Sequence, residues 1–118
     1  MKIEVKGRNT PITEELRARI EKRFAKIDRQ VSEFAQLEVE LSEERNPAVV
    51  ESQIVEATLY LKGVTLRAHA ASQDMIGSLH ECSDELTRQV KRHRDKRRRR
   101  REARAPGKGF PEGASPAL

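Results

Sequence analysis

The chain has 118 residues, and its 24 Lys and Arg exceed its 19 Asp and Glu, which gives a formal net charge of +5. Only 36% of the residues are hydrophobic and 3% are aromatic, so we expect one small domain with a modest core. No segment approaches the roughly 18 apolar residues of a membrane helix, and no apolar signal segment opens the chain. The single cysteine, Cys82, excludes an internal disulfide and a cysteine-based zinc site. These features predict a cytoplasmic protein without a membrane partner.

The charge is distributed unevenly along the chain. Residues 91–104 contain ten Lys and Arg but only two acids, a net charge of +8. Residues 105–118 are neutral overall, so the first ninety residues carry a net charge of −3. This asymmetry predicts a polyanionic partner for the basic end of the molecule.

The first half of the chain predicts a strand, a helix and a second strand. Polar and apolar residues alternate from Lys2 to Arg8, which is the pattern of a strand. Thr13 is suited to cap a helix of about 17 residues. The apolar stripe of that helix recurs every three or four residues, at Leu16, Ile20, Phe24, Ile27 and Val31. Alternation returns from Leu37 to Ser42 and predicts the second strand.

The second half predicts a β-hairpin followed by a long helix. A third strand from Ile54 to Lys62 and a fourth starting at Val64 are joined by a tight turn at Lys62-Gly63. Ser72 or Asp74 is expected to cap the second helix, whose apolar stripe is Met75, Leu79, Cys82, Leu86 and Val90. The order β-α-β-β-β-α predicts an α+β fold with two helices packed on one face of a four-stranded sheet. We expect a folded domain over residues 1–96, an Arg-rich extension of the second helix over 97–104 and a disordered tail over 105–118.

Two basic groups are candidate contacts to nucleic acid. Like charges in the run after residue 90 repel one another, and a phosphate backbone relieves that repulsion. The basic residues of the first helix, taken alone, fit an ordinary solvated face better. With only four aromatic residues in the chain, base stacking is poorly supported, and contacts to phosphates that sense shape are favoured.

Catalysis has little support in this sequence. His69, His80 and His93 are each best explained as solvated side chains, and Cys82 as a small core residue. Neither a Gly-rich phosphate loop nor a nucleophile elbow occurs. We therefore expect a protein that is not an enzyme and has no cofactor, metal site or small-molecule substrate.

Several short sequence motifs occur along the chain in this order: Gly7-Arg8-Asn9, Phe24-Ala25-Lys26-Ile27, Gly63-Val64-x-Leu66-Arg67-Ala68, Asp74-Met75 and Glu85-Leu86-x-Arg88-Gln89-Val90-Lys91. Together they resemble the ribosome hibernation promoting factor family, also called ribosome-associated inhibitor A or protein Y. The resemblance covers about residues 1–96.

The resemblance implies the same β-α-β-β-β-α fold and a bacterial-type factor of stress and stationary phase. Such a factor binds the small ribosomal subunit, with its 16S-type rRNA, in the channel that mRNA and tRNA occupy, and so blocks translation. By this likeness the RNA-binding residues are Arg17, Arg23, Lys26, Arg29, Arg88, Lys91 and Arg92. Charge alone adds Lys22, Arg94, Lys96, Arg97 and Arg98 as further candidates.

Long members of that family carry a second, dimer-forming domain, which we expect to be absent here. The chain then corresponds to a short-type member or to an N-terminal fragment. Two other functions remain open: a general double-stranded RNA or DNA binder, and a regulatory module that binds a protein partner through its acidic strands.

Overall fold

The computed structural model describes residues 1–104 and contains six elements in the predicted order β-α-β-β-β-α. Their bounds are β1 Lys2–Arg8, α1 Glu14–Asp28, β2 Gln36–Glu43, β3 Gln53–Leu61, β4 Val64–Ser72 and α2 Met75–Arg104. The predicted tail, residues 105–118, lies outside the described residues.

The four strands form one sheet in the order β1-β2-β3-β4. β1 and β2 are parallel and are connected through α1, whereas β2, β3 and β4 are successively antiparallel. In the β3–β4 turn Gly63 has a φ of 80°, in the left-handed region that glycine enters without steric cost. The sheet therefore combines one crossover unit with the predicted hairpin.

Strand alternation directs one face of the sheet toward both helices and leaves the other open. Polar side chains such as Glu38, Glu56 and Tyr60 lie on the open face, as the alternation predicts. The core between the sheet and the helices contains Ile20, Phe24, Ile27, Ala35, Leu37, Val39, Leu41, Val55, Ala57, Leu59, Ala68, Ala70, Leu79, Cys82, Leu86 and Val90. The two helical stripes and the inward strand positions thus meet in a single core.

Side-chain caps fix where both helices begin. The Leu16 backbone N–H donates to Thr13 Oγ1 at 3.1 Å, and the Gly77 N–H donates to Asp74 Oδ2 at 3.0 Å. Asp74, rather than Ser72, is therefore the cap of α2. The predicted length of α1 is slightly wrong: the helix ends at Asp28, and Val31 lies beyond it while still packing on the core.

α2 continues well past the core. Its last buried residue is Val90, and the remaining 14 residues add about 21 Å of helix at 1.5 Å each. This projecting segment carries the arginine run. Among the described residues, no helix has both the length and the apolar character required to cross a membrane.

Candidate nucleic-acid interface

A basic groove of about 610 Å³, here called the helix groove, runs between α1 and the first turns of α2. Within residues 1–104 no carboxylate lines it. Four cations of α1, together with its C-cap residue Arg29, surround an inner surface formed by both helices. The lining is Arg19, Lys22, Arg23, Lys26 and Arg29 with Ala25, Ile76, Leu79 and His80. An open groove lined by one sign of charge concentrates positive potential and attracts anions.

One of these cations also connects the two helices. Arg23 Nη2 lies 2.8 Å from Asp84 Oδ1, and Arg23 Nε donates to Ser83 Oγ at 2.7 Å. The Asp84 carboxylate therefore neutralises part of the Arg23 charge. Lys22, Lys26 and Arg29, in contrast, make no salt bridge among the residues that the structure describes, and all three are exposed.

A second basic cavity, here called the end cavity, lies where α2 passes the end of α1 and the β3–β4 turn. Its volume is about 220 Å³. Its lining is Gln30, Val31, Ser32, Leu61, Lys62, Val90, His93, Arg94, Arg97 and Arg101. The end cavity therefore brings two predicted residues, Arg94 and Arg97, to the far end of the helix pair.

His93 is not the solvated side chain that the sequence predicted. Its Nε2 is buried and has no hydrogen-bond partner among residues 1–104. Desolvation lowers the pKa of His93, and the charges of Arg97, Arg100 and Lys96 lower it further. Both effects favour the neutral form of the imidazole.

Other predicted residues lie outside both cavities. Arg88 and Arg92 gather around Glu85, with nitrogen–oxygen distances of 2.9 and 3.8 Å. Hydrogen bonds from Gln89 and Arg88 lower the pKa of the Glu85 carboxyl. Gln89 also donates to the Arg67 carbonyl at 2.7 Å, which places this cluster on the β4 side of α2. Further exposed cations outside the cavities are Arg17, Lys91, Lys96 and Arg98, the last of which pairs with Asp95 at 3.4 Å.

The sequence prediction missed two cations that the structure adds to these surfaces. Arg19 lines the helix groove, whereas Lys62 lines the end cavity beside Arg101 of the predicted basic run. Arg19 lies three residues before Lys22, so helical spacing was the available signal for it. No sequence pattern pointed to Lys62, because it belongs to the β3–β4 turn, which lies beside α2 only in the folded structure.

The remaining candidates for chemistry are structural. Cys82 is fully buried as predicted, and its burial raises the pKa of the thiol to about 12. Tyr60 donates to Glu38 Oε1 at 3.1 Å on the open sheet face, and this hydrogen bond raises the Tyr60 pKa. Residues 1–104 hold no group of three or more His, Cys, Asp or Glu placed to bind a metal ion.

Fold and surface together define a small α+β domain with a basic face made by two helices. The chain belongs to the Sigma 54 modulation protein / S30EA ribosomal protein family, whose model matches residues 3–98. The predicted family resemblance is thereby confirmed. A solved structure titled the protein Y N-terminal domain of Thermus thermophilus has the same fold. That neighbour superimposes with a TM-score of 0.69 at 29% identity, over 79% of this chain and 99% of that one.

Similar curated proteins carry related names. A ribosome hibernation promoting factor of Salmonella typhimurium is 34% identical over 96 residues, which cover 81% of this chain and 96% of that protein. A ribosome hibernation promotion factor of Picosynechococcus is 28% identical, but the match covers 50% of its length. The family is thus one of bacterial ribosome-associated hibernation factors that regulate translation, and these names indicate no catalytic activity.

Proposed function

We propose that this protein binds the small ribosomal subunit in the channel for mRNA and tRNA, and blocks translation by occupying that space. The proposal extends the family assignment to a particular site on the ribosome. In this role the protein acts in the cytoplasm and has no catalytic step. Its contacts are to 16S-type rRNA phosphates, so its affinity falls steeply with salt.

The observation that carries the proposal is the helix groove. Lys22 and Lys26 of α1 and its C-cap Arg29 follow one another at spacings of four and three, and no carboxylate of the described residues 1–104 lines the groove to neutralise them. Phosphates along an RNA strand are repeated negative charges, and exposed Lys and Arg on one face match such a strand without reading bases. The low aromatic content agrees with binding by shape and charge.

The decisive experiment is co-sedimentation with isolated small subunits across a range of salt. We expect saturable pelleting that bound mRNA and initiator tRNA prevent. Pelleting that ignores mRNA and tRNA would contradict occupancy of the channel.

Matched variants then test the helix groove itself. Lys22→Gln/Lys26→Gln/Arg29→Gln removes three groove cations, and we expect binding to be at least tenfold weaker. The slope of log affinity against log salt concentration, here called the salt slope, should fall in magnitude by about two to three. The control Lys2→Gln/Lys6→Gln/Arg67→Gln removes three positive charges from strand residues on the open sheet face. Equal losses in both variants would mean that net charge, and not the groove, determines binding.

The projecting arginine run favours one other function, a general binder of double-stranded nucleic acid. Residues Arg97–Arg101 are exposed on a helix that extends beyond the core, where they would reach any polyanion. Such a protein binds naked duplex RNA as tightly as it binds ribosomal subunits. Measuring both affinities at one salt concentration separates the two functions.

A further inference from the structure

The end cavity collects positive charge from two elements that are distant in sequence. Lys62 comes from the β3–β4 turn, and Arg94, Arg97 and Arg101 come from one face of α2, because their spacings are three and four. No carboxylate lines the cavity within residues 1–104. Like charges held this close on a helix repel one another, so the site favours an anion.

The remaining lining supplies neutral polar groups and an apolar wall. Arg94 Nη1 donates to Gln30 Oε1 at 3.3 Å, which positions one guanidinium at the rim. Ser32 adds a hydroxyl, and Val31, Leu61 and Val90 are apolar. The buried Nε2 of His93 lacks a hydrogen-bond partner in the described chain, and such a group in a native protein calls for an explanation.

We propose that the end cavity is a binding site for a phosphate or pyrophosphate group, held by its three arginines and by Lys62. Guanidinium groups donate two parallel hydrogen bonds to phosphate oxygens. The cavity therefore fits a phosphate better than a halide or a carboxylic acid of low charge. A bound dianion offsets the repulsion among the arginines and joins α2 to the turn and to the end of α1. The phosphate comes either from a free nucleotide or from an RNA backbone, and only the second source depends on the function proposed above.

His93 provides a reporter inside the site. The charged groups around it are Lys96, Arg97 and Arg100 on its own helix, with Arg94, Arg101 and the turn residue Lys62 along the cavity. The segment after α1 contributes the neutral Gln30. An anion among these cations lowers the cost of protonating the imidazole. Binding is therefore expected to move the His93 titration, followed by NMR of its ring protons, to higher pH.

The experiment uses the full chain, sodium pyrophosphate as the probe, calorimetry for affinity and NMR for His93. Arg97→Gln/Arg101→Gln removes two cavity cations, and we expect pyrophosphate to bind at least tenfold more weakly. The control Lys2→Gln/Lys6→Gln removes two charges from the open sheet face, at positions that do not line the cavity. It should keep its affinity for pyrophosphate.

A parallel arm with a short RNA duplex identifies the source of the phosphate. If pyrophosphate binding depends on Arg97 and Arg101, a free nucleotide is supported as the source of the phosphate. If only RNA binding depends on these two residues, the RNA backbone is supported as the source. Equal losses in the two double variants for both probes, or a His93 titration that neither probe moves, would overturn the proposal. Failure of ribosome co-sedimentation would leave the pyrophosphate result unaffected, so the two proposals fail separately.

Discussion

At the scale of single residues, Gly7 shows how a loop constrains a strand. A β-carbon built at Gly7 would clash with the Thr10 carbonyl oxygen and lie 3.0 Å from Ile12 Cγ1. The carbonyl belongs to the backbone of the turn after β1 and has little freedom to move. The absence of a side chain is therefore required for this turn to close on the strand.

We expect Gly7→Ala to lower the free energy of unfolding by about 1–3 kcal/mol, the usual cost of forced overpacking. Urea unfolding measures the change. The control is Gly77→Ala, because the nearest contact of a β-carbon there is an ordinary 3.4 Å to Ser72 Oγ and the residue lies in a helix. Alanine stabilises a helix by up to about 1 kcal/mol relative to glycine. Similar stability of the two variants would contradict the steric argument.

The Arg23–Asp84 pair makes a different residue-scale prediction, about affinity. Asp84→Asn retains a hydrogen-bond acceptor but removes the charge that neutralises Arg23 at the groove. We expect ribosome binding to become several-fold tighter and the salt slope to steepen by about one. The loss of unfolding free energy should stay below about 1 kcal/mol because both partners are partly exposed.

The control for this prediction is Glu81→Gln, which removes an exposed carboxylate of the same helix outside the groove. Subunit affinity measured across salt compares the two variants. If Glu81→Gln strengthened binding equally, the effect would come from net charge, and the local role of Asp84 would be wrong.

At the scale of elements, α2 divides into a packed part and a projecting part. Its buried positions end at Val90, while Arg97–Arg101 are all exposed. Hydrophobic burial supplies most of the stability of a helix in a folded domain. The projecting part is therefore expected to contribute to binding and little to folding.

Deleting residues 97–118 tests this division. We expect cooperative urea unfolding with a free energy within about 1 kcal/mol of the full chain, because the deletion removes no buried apolar residue among those described. Subunit affinity should fall by at least tenfold at the same time. Loss of cooperative unfolding would show that the projecting helix is part of the folded unit.

The elements were predictable from the sequence because each one carries its own periodicity. Alternation located the four strands, and the three-to-four spacing of apolar residues such as Ile20 and Leu79 located both buried helix faces. The end of α1 was harder to predict, because Val31 continues the apolar spacing although the chain has already left the helix. Contacts between elements, such as Arg23 with Asp84 or Lys62 beside α2, depend on how the helices are placed on the sheet. Periodicity within one element carries no information on that placement.

At the scale of the whole molecule, the excess positive charge lies away from the open sheet face. That face balances four carboxylates with four cations: Glu4, Glu38, Glu40 and Glu56 against Lys2, Lys6, Arg8 and Arg67. The helix groove and the projecting end of α2 carry the excess of positive charge on other surfaces. A molecule charged in this way approaches a polyanion with the basic side leading, which raises the rate of productive encounter.

Arg97–Arg101→Ala tests how much of this electrostatic attraction the projecting end supplies. Each phosphate contact adds about 0.9 to the slope of log affinity against log salt for duplex nucleic acid, so loss of five contacts would lower the slope by about four to five. We expect weaker binding to small subunits at low salt and a much smaller difference at high salt, where released counterions no longer favour association. Co-sedimentation at a series of salt concentrations measures both quantities. An unchanged slope would remove the arginine run from the binding mechanism and leave the helix groove as the basic surface responsible.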